Sequence, residues 1–243
     1  MEKIIKLKEF FKNEKIDGYF IPKNDEFFGE YVSKYNDRLN YVTKFTGSYG
    51  FSLILKSKNY LFVDGRYTLQ AINQCGKFCK VITIPEKMPK DILKGNITIG
   101  FDPKLFTKKT LDFFFNKKNF KLKPVKKNLI DKVWKRKNKL NRTKFYALPN
   151  NSVSNNFSTK IKIIVSKLKK RRADFQFITS SENNAWLLNI RGRDSNYTPI
   201  PHSYILIDKH KNILFFCDLK KISKSFKKKF KTIKFLDIDY VDK

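Results

Sequence analysis

Apolar residues in the first half of the chain alternate between helical spacing and short continuous runs. Ile4, Leu7 and Phe11 lie at helical spacing within residues 3–14, and the apolar run 18–21 ends at Pro22, as a buried strand would. Two further runs flank a Lys-Ser-Lys-Asn turn, which predicts a β-hairpin. The remaining predictions are helices around 26–34, 67–73 and 107–115, the last with a threonine cap, and strands over 51–55, 60–63, 81–84, 97–101 and 122–125.

The second half of the chain repeats the order helix, strand, helix, hairpin. Its predicted elements are helices over 161–168 and 181–188, a strand over 175–178, and a hairpin formed by 204–207 and 213–216. A polar stretch from Lys126 to Asn156 separates the halves. We therefore predict an α/β fold with two related domains, at residues 1–135 and 145–243. Few elements follow the second hairpin, so we expect the second domain to be incomplete.

The composition indicates a folded protein without a membrane span. Hydrophobic residues make up 41% of the chain, which excludes an intrinsically disordered protein. No apolar run approaches the ~20 residues that a membrane-spanning helix needs. The amino terminus also lacks the apolar core of a signal peptide. We expect a soluble, cytoplasmic protein with no membrane partner.

The net charge of +31 raises the possibility of nucleic-acid binding, which the make-up of that charge argues against. Only 8 of the 53 basic residues are arginine, the side chain that binds bases and phosphates in a bidentate way. Lysine is spread along the chain beside abundant Asn, Ile and Phe, as A/T-rich codon usage would produce. We expect no specific nucleic-acid partner, and we interpret the dense run Lys220 to Lys231 as a solvated helix face.

The residues that usually form catalytic or metal sites are few and scattered. Cys75, Cys79 and Cys217 form neither a disulfide framework nor a zinc-ligand pattern, so we interpret them as reduced cysteines. The two histidines, His202 and His210, fit loop positions better than catalytic ones. The acids Asp64, Asp194 and Asp218 show no paired spacing. We therefore predict no catalytic or metal-binding residue in this chain.

Asp64-Gly65-Arg66 is the one short motif with a candidate binding role. It follows a predicted strand and begins a predicted helix, so Asp64 can cap that helix. Arg66 would then emerge at a strand end, where α/β sheets tend to place ligand contacts. A purely structural Asp–Arg pair at the turn fits the pattern as well. On the pattern alone, both interpretations remain open.

Longer motifs carry a resemblance to a known family. The stretch 24–71 resembles the first domain of aminopeptidase P (Xaa-Pro aminopeptidase) of the creatinase/prolidase superfamily, including Phe-Thr-Gly-Ser at 45–48 and Val-Asp-Gly-Arg-Tyr at 63–67. The match continues through 99–103, 128–134, 184–194 and 197–199, so it spans nearly the whole chain. Lys44 and Tyr49 depart from the family pattern without touching a catalytic position.

The resemblance implies two creatinase-N-terminal-type α/β domains with mixed sheets, the second one truncated. In such enzymes a third, pita-bread domain binds two manganese ions through two aspartates, a histidine and two glutamates, and releases the residue ahead of a penultimate proline. None of those ligands lies in this chain, so we expect it to bind no cofactor and to be inactive alone. Its expected partners are peptides with penultimate proline, together with a second copy of the chain in a homodimer or a full-length relative. The alternative is a free-standing peptide-binding or dimerisation module.

The resemblance also implies roles for individual residues. Arg66 matches the arginine that reaches the peptide-binding cleft, so we expect it to contact substrate. Trp186, Leu187 and Leu188 are expected in the core, and residues 189–194 are expected to form a loop.

Overall fold

A computed structural model describes residues 1–116, 120–136 and 141–242. Its contacts divide the chain into two compact units. Unit 1 consists of Met1–Glu26 and Lys34–Asn138, and unit 2 of Phe27–Ser33 and Lys139–Lys243. The short segment Phe27–Ser33 therefore belongs to unit 2, which its position in the sequence does not suggest.

Unit 1 contains six helices and six strands in its described residues. The helices are α1 (Glu2–Asn13), α2 (Arg38–Thr43), α3 (Thr68–Cys75), α4 (Pro89–Ile92), α5 (Lys108–Phe115) and α6 (Leu129–Val133). The strands are β1 (Gly18–Pro22), β2 (Phe51–Leu55), β3 (Asn59–Asp64), β4 (Lys80–Ile84), β5 (Ile97–Phe101) and β6 (Phe120–Pro124). The predicted cap of α5 is present, since Thr107 Oγ1 accepts a hydrogen bond from Thr110 N at 3.1 Å.

The strands of unit 1 form one mixed sheet in the order β4-β3-β2-β1-β5-β6. The pairs β1–β2 and β2–β3 are antiparallel, whereas β1–β5, β5–β6 and β3–β4 are parallel. Successive side chains of β1 point to opposite faces, so Tyr19 and Ile21 enter one core while Phe20 enters another. The sheet of unit 1 is thus covered on both faces.

Unit 2 contains fewer elements. Its helices are α7 (Phe157–Lys170), α8 (Ser181–Leu188) and α9 (Lys224–Lys229), and its strands are β7 (Tyr146–Ala147), β8 (Phe175–Ile178), β9 (Ile190–Arg191), β10 (Tyr204–Asp208), β11 (Ile213–Cys217) and β12 (Ile233–Asp237). The main sheet has the order β12-β11-β10-β8 and is mixed, because only β11–β12 is parallel. Most buried apolar side chains of this unit form one core against one face of the sheet, whereas Phe216, which is 7% exposed, is buried on the other face.

Two predictions about this region of the fold are wrong, and a third is wrong in part. Residues 26–34 do not form a helix; Phe28 there has φ 54°, and the helix of this region is α2, which begins eleven residues after Phe27. Trp186 is not in the core, because 62% of its surface is exposed, although Leu187 and Leu188 are buried as predicted. Within residues 189–194, Ile190–Arg191 is a short strand rather than a loop.

The structure also bears on the predictions for the cysteines, the lysine-rich run and membrane-spanning helices. The three cysteines are free and buried, and burial raises the pKa of Cys75 to about 11 and that of Cys79 to about 12. Most of the lysine-rich run at 220–231 is exposed, but Lys221 is buried. None of the helices in the described residues is long and apolar enough to cross a membrane.

Candidate functional site

The Asp64-Gly65-Arg66 motif forms a tight turn between β3 and α3. Gly65–Tyr67 is a single 3₁₀ turn, and Asp64 caps it by accepting a hydrogen bond from Arg66 N to Oδ1 at 3.0 Å. Asp64 therefore caps the 3₁₀ turn that leads into α3, whereas α3 itself has Tyr67 as its N-cap and no side-chain cap, so the predicted cap is confirmed for the turn and not for the helix. The turn places Arg66 directly after the end of β3, with 72% of its side chain exposed.

The Arg66 guanidinium is held by the Asp64 carboxylate. Nη2 donates to Oδ2 at 2.7 Å and Nε donates to Oδ1 at 3.1 Å, which is a two-point ion pair. The hydrogen bond from Arg66 holds the pKa of Asp64 below its ordinary value, and the same bond raises the pKa of Arg66. Because the pair uses the Nε–Nη2 edge, the orientation of the guanidinium is fixed before any ligand arrives.

The loop before β2 supports this turn. Gly47 is required there, because a Cβ at that position would lie 2.3 Å from Phe45 Cζ and 2.8 Å from Tyr67 Cδ1. The next residue, Ser48, shares a hydrogen bond between its hydroxyl and that of Tyr67 at 2.7 Å. The Arg66 guanidinium lies 5.3 Å from the Tyr67 ring centroid, within cation–π range. The Phe-Thr-Gly-Ser and Asp-Gly-Arg-Tyr motifs are therefore neighbours in space.

Two amide side chains of α3 fasten the same loop. Thr46 N donates to Gln74 Oε1 at 3.0 Å, and Thr46 Oγ1 accepts from Gln70 Nε2 and Gln74 Nε2, both at 2.9 Å. The sequence reasoning did not assign a role to either glutamine. Their spacing of four residues on one helix face was the signal that could have identified them.

The exposed edge of the Arg66 guanidinium can donate a hydrogen bond to an oxygen acceptor of a ligand. In the described part of the chain, Arg66 Nη1 makes no hydrogen bond, while Nε and Nη2 are used by Asp64. An arginine with one edge fixed and the other exposed suits a carbonyl or carboxylate oxygen. The structural pair and the binding role are thus compatible rather than alternatives.

An ion-pair network around a buried arginine in unit 1 was missed by the sequence reasoning. Arg38 is buried and donates from Nη2 to Glu26 Oε1 at 2.6 Å and to Asp131 Oδ2 at 2.8 Å. Arg136 Nη2 donates to Asp131 Oδ1 at 2.5 Å. Burial opposes the charge on Arg38, but Asp131 and Glu26 together raise its pKa. Residues from the matched stretches 24–71 and 128–134 therefore meet in a structural cluster, which only the fold brings together.

A second buried pair lies in unit 2. Lys221 Nζ donates to Asp194 Oδ1 at 2.5 Å, and both side chains are buried. The other carboxylate oxygen of Asp194 accepts from His202 N at 2.8 Å. This ion pair fixes the loop after β9 and explains why Lys221 is not solvated like its neighbours.

The described residues do not fit a metal centre. Among them, no group of three or more histidine, cysteine, aspartate or glutamate side chains is close enough to hold an ion. The half-buried carboxylate of Asp131 and the buried carboxylate of Asp194 are instead paired with Arg38 and Lys221. We therefore derive no chemical step through a metal from this chain's own residues.

Family models match almost the full length of the chain. The model described as creatinase/prolidase N-terminal domain matches residues 3–133, and a second model with the same description matches residues 135–242. The first match alone covers more than half of the chain.

Curated relatives and a solved structure agree with these models. The chain is 31% identical over 226 residues to a probable Xaa-Pro aminopeptidase P of Laccaria bicolor, covering 88% of this chain and 35% of that protein. It is 28% identical to Xaa-Pro aminopeptidase 1 of Dictyostelium discoideum, covering 91% of this chain and 38% of that protein. The chain therefore spans about a third of the length of these relatives.

The structural match covers both units. The crystal structure of an X-prolyl aminopeptidase of Caenorhabditis elegans, described as a cytosolic enzyme with a di-nuclear active site, matches with a TM-score of 0.91 at 26% identity. The match covers 99% of this chain and 42% of that chain.

Proposed function

This chain belongs to the creatinase/prolidase N-terminal domain family, and from that premise we propose that it is the non-catalytic amino-terminal part of an Xaa-Pro aminopeptidase. The observation that carries the proposal is the match of both units, in order, to the amino-terminal part of X-prolyl aminopeptidases. The whole enzyme would release the first residue from peptides in which proline is second. The two manganese ions that the family implies would bind to a catalytic domain outside this chain.

Within such an enzyme, Arg66 is the substrate-binding residue that this chain contributes. Its guanidinium is exposed, oriented by Asp64 and held near Tyr67, so it can donate to a peptide oxygen at little cost in side-chain entropy. We also expect a cytoplasmic location, because the C. elegans relative is described as cytosolic. We further propose that this chain forms a homodimer or pairs with a full-length relative.

Peptidase assays test the catalytic part of this proposal. The purified chain should show no manganese-dependent cleavage of an Xaa-Pro peptide, because its described residues contain no metal-binding group. The same chain fused to the remaining part of the C. elegans enzyme should cleave such peptides. Cleavage by the pure chain would overturn the non-catalytic assignment.

Substitution of Arg66 tests the binding part. In the fused enzyme, Arg66→Ala should raise KM for an Xaa-Pro peptide about tenfold. The matched control is Arg142→Ala, which removes an exposed arginine outside the turn and should leave KM unchanged. Chemical-shift changes at residues 64–67 of the isolated chain, titrated with the same peptide, give a readout that does not need activity.

A second candidate function is a free-standing peptide-binding or dimerisation module. The closed, two-core architecture of unit 1 favours it, since this unit can present Arg66 without a catalytic domain. In that case the isolated chain binds Xaa-Pro peptides as tightly as the fused enzyme does. Much weaker binding by the isolated chain supports the first proposal instead.

A further inference from the structure

Tyr49 lies in the loop before β2 that supports the Arg66 turn. It directly follows Ser48, whose hydroxyl shares a hydrogen bond with that of Tyr67 at 2.7 Å. The side chain of Tyr49 is 39% exposed, so one part of it packs against the protein while another part faces solvent. Tyr49 is therefore both anchored and accessible to a ligand.

The strand register places Tyr49 across from Asp64. Strands β2 and β3 are antiparallel, with Phe51 opposite Phe62. Two residues beyond that pair, the same register sets Tyr49 opposite Asp64, on the same face of the sheet. Residues that lie opposite each other on antiparallel strands have Cβ atoms about 5 Å apart. Tyr49 is thus a neighbour of the carboxylate that holds Arg66.

Two observations agree with this placement. The pair between the ladder and Tyr49 is close, since a Cβ at Gly50 would lie 3.3 Å from Val63 Cγ1. Burial raises the pKa of Tyr49, and the charge on Asp64 acts in the same direction, as it does only when the two side chains are near each other. The raised pKa also keeps the phenol neutral at physiological pH.

The ring of Tyr49 is held in place by packing. It meets Phe51 edge to face, with a centroid distance of 5.4 Å and an interplanar angle of 89°. Phe51 in turn lies 4.5 Å from Phe114 in one of the two cores of unit 1. Among the described residues, Tyr49 Oη has no hydrogen-bond partner, so the hydroxyl does not set the position of the ring. A ring fixed in this way can pack against a ligand at little cost in side-chain entropy.

Tyr49 and Arg66 offer two complementary kinds of contact. The exposed edge of the Arg66 guanidinium can donate to an oxygen, whereas the Tyr49 ring presents an apolar surface. The Asp64 carboxylate beside both of them is already paired with Arg66. A ligand that carries an oxygen next to an apolar side chain matches this arrangement, and a peptide has a side chain next to each of its carbonyl oxygens.

We propose that Tyr49 is a specificity-determining residue that forms, together with Arg66, a subsite for a large apolar side chain of the peptide. Arg66 donates to a carbonyl or carboxylate oxygen, and the Tyr49 ring packs on the side chain next to that oxygen. The inference rests on the proposed function, because Arg66 is the polar contact of the subsite. The substrate class is Xaa-Pro peptides with a large apolar residue, such as leucine, before or after the proline.

A packing role alone is the competing explanation for Tyr49. The ring covers part of Phe51, so its loss could weaken unit 1 without any effect on a ligand. Packing alone would change the affinity for all peptides alike or for none, because it does not distinguish one peptide side chain from another. A change in the preference between two peptides is therefore the measurement that separates the two roles.

NMR titration of the whole chain measures that preference. The probes are the tripeptides Ala-Pro-Ala, Leu-Pro-Ala and Ala-Pro-Leu, each followed through the chemical shifts of residues 48–51 and 64–67. At least one leucine peptide should bind about fivefold more tightly than Ala-Pro-Ala, which is the effect of a leucine side chain that becomes half buried.

Substitutions of Tyr49 show whether it is the source of the preference. In Tyr49→Ala the dissociation constants of the leucine peptide and Ala-Pro-Ala should differ by a factor of about one, because the apolar surface is gone. Tyr49→Gln, which keeps bulk over Phe51, should lose the preference as well. Tyr49→Phe keeps the ring and should keep the preference. The matched control is Tyr146→Ala, which removes an exposed tyrosine of unit 2 and should also keep it.

Arg66→Ala tests the proposed function separately. It should weaken the binding of all three peptides, whatever their side chains. Unchanged binding in this variant would contradict the proposed role of Arg66, while a preference that still depends on Tyr49 would support the role of Tyr49.

Three results would overturn the inference about Tyr49. The first is equal affinity of the parent chain for all three peptides, and the second is an unchanged preference in Tyr49→Ala and Tyr49→Gln. The third is the absence of saturable shifts at residues 48–51 up to the solubility limit of each peptide.

Discussion

Units 1 and 2 build the same four-strand arrangement, but among the described residues unit 1 covers both faces of its sheet, whereas unit 2 leaves much of one face exposed. Strands β1, β2, β3 and β4 correspond to β8, β10, β11 and β12, with the same antiparallel and parallel pairings. Phe20 and Phe177 occupy matching places, each three residues after an aspartate (Asp17 or Asp174) whose carbonyl accepts a hydrogen bond from a lysine N–H of the neighbouring strand's end. Phe20 is nevertheless fully buried, whereas Phe177 is nearly half exposed. The difference arises from residues 85–124, which have no counterpart among the described residues of unit 2.

The comparison shows that the burial of a strand residue depends on the elements packed against the sheet as well as on the strand itself. The same residue type at the same register position is part of a core in one unit and of a surface in the other. Burial, and therefore the free energy that a phenylalanine adds to folding, depends on whether a second layer is present. Fluorescence can follow each unit separately, because the chain has two tryptophans, Trp134 in unit 1 and Trp186 in unit 2.

The largest expected difference is between Phe20→Ala and Phe177→Ala. Phe20→Ala should lower the free energy of unfolding of unit 1 by about 3–5 kcal/mol, because it opens a cavity among packed rings. Phe177→Ala should cost unit 2 less than about 1 kcal/mol, since its side chain is already partly solvated. Urea unfolding measures each value, with Trp186→Phe as the background for unit 1 and Trp134→Phe for unit 2. Equal costs in the two units would contradict the comparison.

The second prediction concerns the single core of unit 2. Asp194→Asn leaves Lys221 buried without its charge partner, so unit 2 should lose about 3 kcal/mol of stability. Replacing both residues, as Asp194→Asn with Lys221→Met, should recover most of that loss. The control is Asp174→Asn, which removes an exposed pair with Lys209 and should cause no measurable change. A similar loss in both aspartate variants would show that burial is not the cause.

The smallest expected effect is the part of the pH dependence of unit 1 that arises from Asp131. Burial acts to raise the pKa of Asp131, but Arg38 and Arg136 hold it below its ordinary value of about 3.9. The stability that Asp131 contributes to unit 1 is therefore complete above its ordinary pKa, and it is lost as the pH falls through the lower folded-state pKa. Asp131→Asn should cost about 1–2 kcal/mol at neutral pH and less in acid.

Burial raises the pKa of Asp102 in the folded state. Protonation of Asp102 therefore stabilises unit 1 as the pH falls, which is opposite to the effect of Asp131. The informative quantity is consequently the difference between Asp131→Asn and the parent chain, measured by urea unfolding from about pH 2 to pH 6. Unit 2 in the same samples is the reference. A difference that stays constant across this range would show that the ion pairs of Asp131 do not stabilise unit 1.

Elements with strong periodicity could be predicted from the sequence. The helix over 3–14, the hairpins and the helix capped by Thr107 all form where the pattern places them, within a few residues. Residues 26–34 have a helical pattern too, but Phe27 instead stacks on His202 at 4.1 Å, and Phe28 has a positive φ. A contact distant in sequence thus outweighs local propensity, which contributes little per residue.

The candidate site was only partly predictable for the same reason. The turn at 64–67 is local, so its cap and its Asp–Arg pair follow from three adjacent residues. The loop that supports it is held by Gln70 and Gln74, and the Arg38 network joins residues about a hundred positions apart. Trp186 was expected in the core because its neighbours are apolar, yet its ring lies on the surface beside Lys160, 4.2 Å from the Lys160 ammonium.

The sequence by itself determined the order of the elements, the division into two related units and the local geometry around Arg66. These properties depend on residues close together in the chain, where spacing and capping act directly. Only the tertiary structure decided which sheet face is covered, which charges are buried together and where Trp186 lies. Those outcomes depend on contacts between distant segments, since a side chain is buried only when another layer of the fold reaches it.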